Sequence, residues 1–314
     1  MTDSLTIGIR LILYADLMLL FGLPMFALYG LTNTGRQAGS LPWLRPLLVG
    51  LAITALLASV AWLTIVSASM AGMPVTAVDR ATVELVATET PMGLAWQIRI
   101  AALAVTVVLA AMPRSAAALP TLAALSLTAG VALATLAWGG HGAAGEGPAG
   151  WLQLGADVVH LLAAGVWVGA LAAFSLMLLR PHAAMSPTHI AAAIRALERF
   201  AVVGSIVVSL LIATGLINSL MLVGLANVPT LPSTLYGQLL IAKLALFFGI
   251  LLLAAANRFR LTPALASVGP AGYTRQVVTA LRRSVALESS AALLILALVA
   301  WLGTLAPPLS TSGA

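Results

Sequence analysis

The sequence predicts an all-α polytopic membrane protein with eight transmembrane helices. Three observations carry this. The chain is 61% hydrophobic and 8% charged, with mean hydropathy +1.08. Its apolar residues come in long runs rather than at scattered positions, and Pro, Gly and Arg gather between those runs. A soluble chain of 314 residues has no use for so much apolar surface, because a single core stops growing well before that. Runs of roughly 20 apolar residues are long enough to cross a bilayer.

The first span, 8–31, holds "LILYADLMLLFGLPMFALYGL" and ends in the polar connection "TNTGRQAGSLPWLRP". No basic region precedes it, and it is long enough to span, so it reads as a helix rather than a signal peptide. The second, 43–69, runs into "SASMAGMPV". The third, 91–112, opens at Thr90-Pro91-Met92-Gly93, and the fourth, 117–139, ends before a Gly-rich connection at His141. The fifth, 151–179, contains "ADVVHLLAAGVWVGAL". The sixth to eighth are 198–224, 236–257 and 284–305. The longest gap, 258–283, leaves no room for a soluble domain, so residues 1–314 form one transmembrane domain.

The basic residues set an orientation. Arg36, Arg45, Arg114, Arg180, Arg195, Arg199, Arg258, Arg260, Arg275, Arg282 and Arg283 follow odd-numbered spans, whereas Arg80 alone follows an even-numbered one. The positive-inside rule then puts both termini and the even-numbered loops on the side away from the cytoplasm. The net charge of +6 is explained by this asymmetry and not by nucleic acid, since no soluble basic face exists to carry it.

The chain also repeats itself. "TPMGLAWQIRIAAL" from Thr90 and "TLYGQLLIAKLALF" from Thr234 match at Thr90/Thr234, Gly93/Gly237 and Arg99/Lys243. The same offset carries Asp16 in span one onto His160 in span five. This predicts two parallel four-helix halves, 1–140 and 141–314, related by an axis along the membrane normal.

Ionisable groups inside a bilayer are costly and mark candidate sites. Asp157 and His160 lie one turn apart on one face of span five, and Trp167 continues that face. At about 1.5 Å per residue, His160 sits about 13 Å below Trp151. A carboxylate beside an imidazole would orient it and raise its basicity as a ligand. A structural hydrogen bond between helices is the plainer reading of the same pair. His141, Met70, Met73 and Met92 share the outer side. Thioether and imidazole in a chain without cysteine suit copper, Cu(I) before Cu(II). Met also fills gaps in apolar helices, the reading for Met18, Met25, Met112 and Met177. Arg99 and Lys243 are expected to pair with buried acids such as Asp16, Glu89 or Asp157, and Glu288 to lie at the cytoplasmic interface. His182 and His189 read as solvated loop residues, and Gly165 with Gly169 as a G-x-x-x-G packing motif. No phosphate-binding loop, nucleophile elbow or H-E-x-x-H is present, which points away from enzyme chemistry and from ATP hydrolysis.

"ADVVHLLAAGVWVGAL", "ATETPMGLAWQIRIAAL", "TLYGQLLIAKLALFFGILLLAAANRFRLTP" and the Glu288 span ending "LGTLAPP" resemble the copper resistance protein D (CopD) family, most specifically over 138–308. The resemblance implies a multi-pass bacterial inner-membrane protein that moves copper from periplasm towards cytoplasm. It also implies a possible separate periplasmic CopC-like copper-binding partner. A b-type haem or redox protein using the same histidines is the alternative, with the basic residues then holding propionates.

Overall fold

The computed structural model describes residues 2–31, 43–112, 118–140, 145, 147–178, 187–261 and 275–311. Their helices are α1 (Thr2–Gly30), α2 (Leu44–Met70), α3 (Arg80–Glu89), α4 (Pro91–Ala111), α5 (Leu119–Ala134), α6 (Gly147–Leu178), α7 (Pro187–Leu222), α8 (Leu235–Ala256), α9 (Arg275–Leu302) and α10 (Pro308–Thr311). Eight of these are long and apolar enough to cross a membrane, as expected. No strand occurs among the described residues. The protein is an all-α polytopic membrane protein.

Between the spans the sequence reading missed several short elements. Helix α3 starts at Asp79, whose carboxylate accepts from the Thr82 amide at 2.9 Å and satisfies one otherwise unpaired donor of the first turn. That hydrogen bond holds the Asp79 carboxyl below its ordinary range. An Asp three residues before a Thr is a readable cap signal. Residues Leu225–Ser233 form a 3₁₀ segment, and α8 ends in a π turn at Asn257–Leu261.

Helix α1 is the central post. It packs against α2, α5, α6, α7 and α9, and its longest seam is with α6. The two backbones touch where Gly22 meets the G-x-x-x-G of α6. A methyl added at Gly169 would lie 2.3 Å from Gly22 Cα, and one at Gly22 2.1 Å from the Gly165 carbonyl oxygen. Small residues permit this contact, as the motif predicted. Phe26 and Phe174 close the same seam edge to face, 5.1 Å apart.

The two helices that share the repeated motif start alike. Thr90 and Thr234 are both extended N-caps, and their hydroxyls accept from the Gly93 and Gly237 amides at 2.9 and 3.1 Å. Each Gly lies against the backbone of the preceding segment, where a side chain would collide. The surroundings then diverge. Helices α1, α2, α4 and α5 form a closed ring of neighbours. In the second set α6 packs on α7 and α9, and α9 on α8, but α7 and α8 do not join along their length. A groove remains between them.

Candidate functional site

Helix α6 presents Asp157 and His160 towards α7, where Thr214 and Asn218 lie one turn apart. Asn218 Nδ2 donates to Asp157 Oδ1 at 2.6 Å. His160 Nδ1 and Thr214 Oγ1 are 2.9 Å apart, and the Thr214 hydroxyl donates to the Leu210 carbonyl at 2.6 Å. A hydroxyl that has given its proton to Leu210 can only accept from His160. The network therefore assigns the imidazole proton to Nδ1 and leaves the Nε2 lone pair unused. Asp157 does not orient the imidazole, contrary to the sequence expectation. Thr214 takes that role, because the helix crossing sets Thr214 opposite His160 and Asn218 opposite Asp157.

Asp157 and His160 line a cavity of about 170 Å³ with Arg10, Tyr14, Tyr236 and Lys243. A second cavity of about 450 Å³ is lined by Met73 and Met92 with Trp62, Ser69 and Arg10. Met70 does not line it and is 62% exposed. The soft and the hard donors thus occupy two adjoining cavities, with Arg10 in the wall of both. No group of three or more His, Asp or Glu poised for a metal occurs among the described residues. His141 lies outside the described residues, as does His182.

The expected ion pairs are not formed. Among the described residues the one ion pair is Arg80–Glu84, on the surface of α3. Arg99 instead donates to Thr135, through Nε to Oγ1 at 2.8 Å and Nη2 to the carbonyl at 3.3 Å. Asp16 is buried with Oδ2 unpartnered, and Glu89 is exposed at the end of α3. Lys243 shares the cavity of Asp157 and acts on it through space, without a contact inside 4 Å. For Arg99 a hydroxyl and a carbonyl on the neighbouring helix stand where a carboxylate was expected.

Glu288 is buried between helices rather than exposed on the surface of the bundle. It is 5% exposed and accepts from Asn257 Nδ2 at 2.5 Å and Ser284 Oγ at 3.3 Å. It faces a cavity of about 580 Å³ in the groove between α7 and α8. A further, mostly apolar cavity of about 400 Å³ adjoins it, bordered by His160, Lys243 and Phe247. Trp167, tilted against Phe247 at 5.9 Å, lines both. The four cavities therefore form a series: Arg10 links the first pair, His160 and Lys243 the second, and Trp167 the third. Arg10 and Thr214 were the residues sequence reasoning overlooked. Arg10, a base six residues before Asp16 at the head of an apolar run, was the available signal.

The chain matches two family models, "Copper resistance protein D-like, N-terminal domain" over residues 1–151 and "Copper resistance protein D" over residues 194–302. Copper resistance protein D of Pseudomonas syringae pv. tomato is 41% identical over 309 residues, covering 98% of each chain. The inner membrane protein YebZ of Escherichia coli is 30% identical over 260 residues, covering 82% of this chain and 84% of the relative. No solved structure matches.

Proposed function

The chain belongs to the copper resistance protein D family, and we propose that it takes copper from the periplasm towards the cytoplasm. The observation that carries this reading is the series of cavities, with donor groups at its outer, middle and inner stations. In this reading the protein sits in the bacterial inner membrane with both termini periplasmic, and its two four-helix halves are parallel repeats.

Copper is captured in the outer cavity by the thioethers of Met73 and Met92, a donor pair suited to Cu(I). It passes Arg10 to the inner cavity, where His160 Nε2 supplies a lone pair and Asp157 a compensating charge. Asn218 and Thr214 hold those two ligands in place. The neutral imidazole is the form that binds metal, and Thr214 keeps the proton on the other nitrogen. Below His160 the groove is apolar as far as Glu288, a path that favours the singly charged ion. The desolvation cost of an ion rises with the square of its charge, so Cu(I) meets about a quarter of the barrier that Cu(II) meets. Glu288, held by Asn257 and Ser284, receives the ion at the inner end. Handling of this kind is binding and passage, not catalysis, and a periplasmic CopC-like carrier is a natural donor to the methionine cavity.

The test is copper accumulation in cells carrying Asp157→Asn with His160→Ala, against wild type at equal membrane abundance. The reading requires the double variant to lose the accumulation that the wild-type protein confers. Equal accumulation in both would reject it.

A further inference from the structure

Lys243 and Arg99 stand at the same place in the repeat, after Thr234 and Thr90, yet their surroundings differ. Arg99 is buried and donates to the hydroxyl and the carbonyl of Thr135. Lys243 has no hydrogen-bond partner and no ion pair among the described residues. Its ammonium is not sealed in. Unlike the unpartnered nitrogens of Arg10 and Arg99, Nζ keeps surface that a water-sized sphere can reach. The residue borders both the Asp157–His160 cavity of about 170 Å³ and the mostly apolar cavity of about 400 Å³.

An unpaired charge on a membrane-spanning helix is costly, and the nearby positions of α8 hold Leu240, Leu244 and Phe247. A leucine at 243 would suit that face better, so the charge calls for an explanation. The smaller cavity points to one. Its lining holds two bases, Arg10 and Lys243, against one carboxylate, Asp157. Arg10 is committed elsewhere. It donates to the Gly139 carbonyl and the Tyr14 hydroxyl and lies over the Tyr14 and Trp62 rings. Lys243 is the base left to act on what the cavity holds, and its charge is felt by both Asp157 and His160 through space.

We propose that Lys243 makes the Asp157–His160 site selective for monovalent over divalent cations. Coulomb repulsion grows with the product of the charges, so an ammonium opposes a divalent ion twice as strongly as a monovalent one. With Lys243 in place the cavity wall carries one positive charge in excess, and without it Arg10 and Asp157 cancel. The donors alone do not draw this distinction, because imidazole and carboxylate also suit zinc and other divalent ions. Position adds to the effect. His160 and Lys243 both line both cavities, so an ion that moves from one cavity to the other passes the ammonium. The inference rests on the copper reading of this site and names the ions that the site turns away.

The test measures Ag(I) and Cd(II) binding to full-length protein in detergent, two closed-shell ions that need no control of redox state. Wild type is compared with Lys243→Leu and with Lys243→Arg, which keeps the charge, in one mildly alkaline buffer. In Lys243→Leu the Ag(I) affinity is expected to rise about threefold or more, and the Cd(II) affinity by the square of that factor, about tenfold or more. Lys243→Arg is expected to keep the wild-type preference for Ag(I). Equal factors for the two ions, or weaker binding of both, would overturn the inference, since a lysine that only shaped the wall would not sort ions by charge. A preference lost in Lys243→Arg as fully as in Lys243→Leu would also overturn it. If Lys243→Leu does not fold, Lys243→Gln carries the same comparison. Asp157→Asn with His160→Ala, measured alongside, separates the two claims. Ag(I) bound by wild type and lost in the double variant, with no sorting at position 243, rejects the filter and leaves the copper reading standing. Ag(I) bound equally by wild type and double variant rejects the copper reading of the site, and the filter with it.

Discussion

His160 Nδ1 lies 2.9 Å from Thr214 Oγ1, and the Thr214 hydroxyl donates a hydrogen bond to the Leu210 carbonyl. These two hydrogen bonds fix the imidazole tautomer. Thr214→Val keeps the shape of the side chain and removes the acceptor. The variant is expected to weaken copper binding by about 10- to 100-fold, the usual loss when the partner of a ligand histidine is removed. Competition with a Cu(I) chelator would measure it, and unchanged affinity would show that Thr214 does not orient the ligand.

The methionines divide by position. Met73 and Met92 line one cavity, while Met70 is exposed and does not line it. Met73→Leu and Met92→Leu should each slow copper uptake, and Met70→Leu should leave it unchanged. Uptake rates at low external copper distinguish these outcomes, and equal effects at all three positions would reject the assignment.

The crossing of α1 and α6 predicts a stability effect with no ligand involved. In Gly169→Ala the new methyl lies 2.3 Å from Gly22 Cα, and backbone cannot yield as a side chain tip can. Overpacking of this kind costs about 1–3 kcal/mol. A lowered thermal midpoint in detergent would register it, whereas Gly155→Ala, with open space around it, should leave the midpoint in place.

Asp79 offers a pH prediction outside the membrane. Its carboxylate is stabilised by the Thr82 hydrogen bond, so its folded pKa is depressed. A depressed acid adds stability that is present above the unfolded pKa and is lost as pH falls through the folded value. The Asp79 side-chain carbon should therefore titrate below free aspartate by NMR, and the start of α3 should fray over the same acid range. Titration at the ordinary value would contradict the cap.

Much of this was legible in the sequence, because a bilayer imposes length and apolarity on each helix separately. The eight spans, the G-x-x-x-G crossing and the Thr90 and Thr234 helix starts all depend on residues close together in the chain. The partners of polar groups were not legible. Arg99 finds Thr135, Glu288 finds Asn257 and His160 finds Thr214 across helix interfaces that local pattern does not determine. Charge was also a poor guide to pairing. Opposite charges were expected to meet, yet Arg99 is held by the hydroxyl and carbonyl of Thr135 instead. The groove between α7 and α8 could not be read from a repeat that predicts equivalent halves.

The central claim is that Asp157 and His160 bind copper. Its most direct test is metal content and Cu(I) affinity of the purified protein, with an absorption spectrum of the same sample, for wild type and for Asp157→Asn with His160→Ala. The account predicts copper near stoichiometry in wild type, loss of that copper in the double variant, and no Soret band in either. Equal copper in both proteins would contradict the site, and a Soret band would assign the histidine to haem instead.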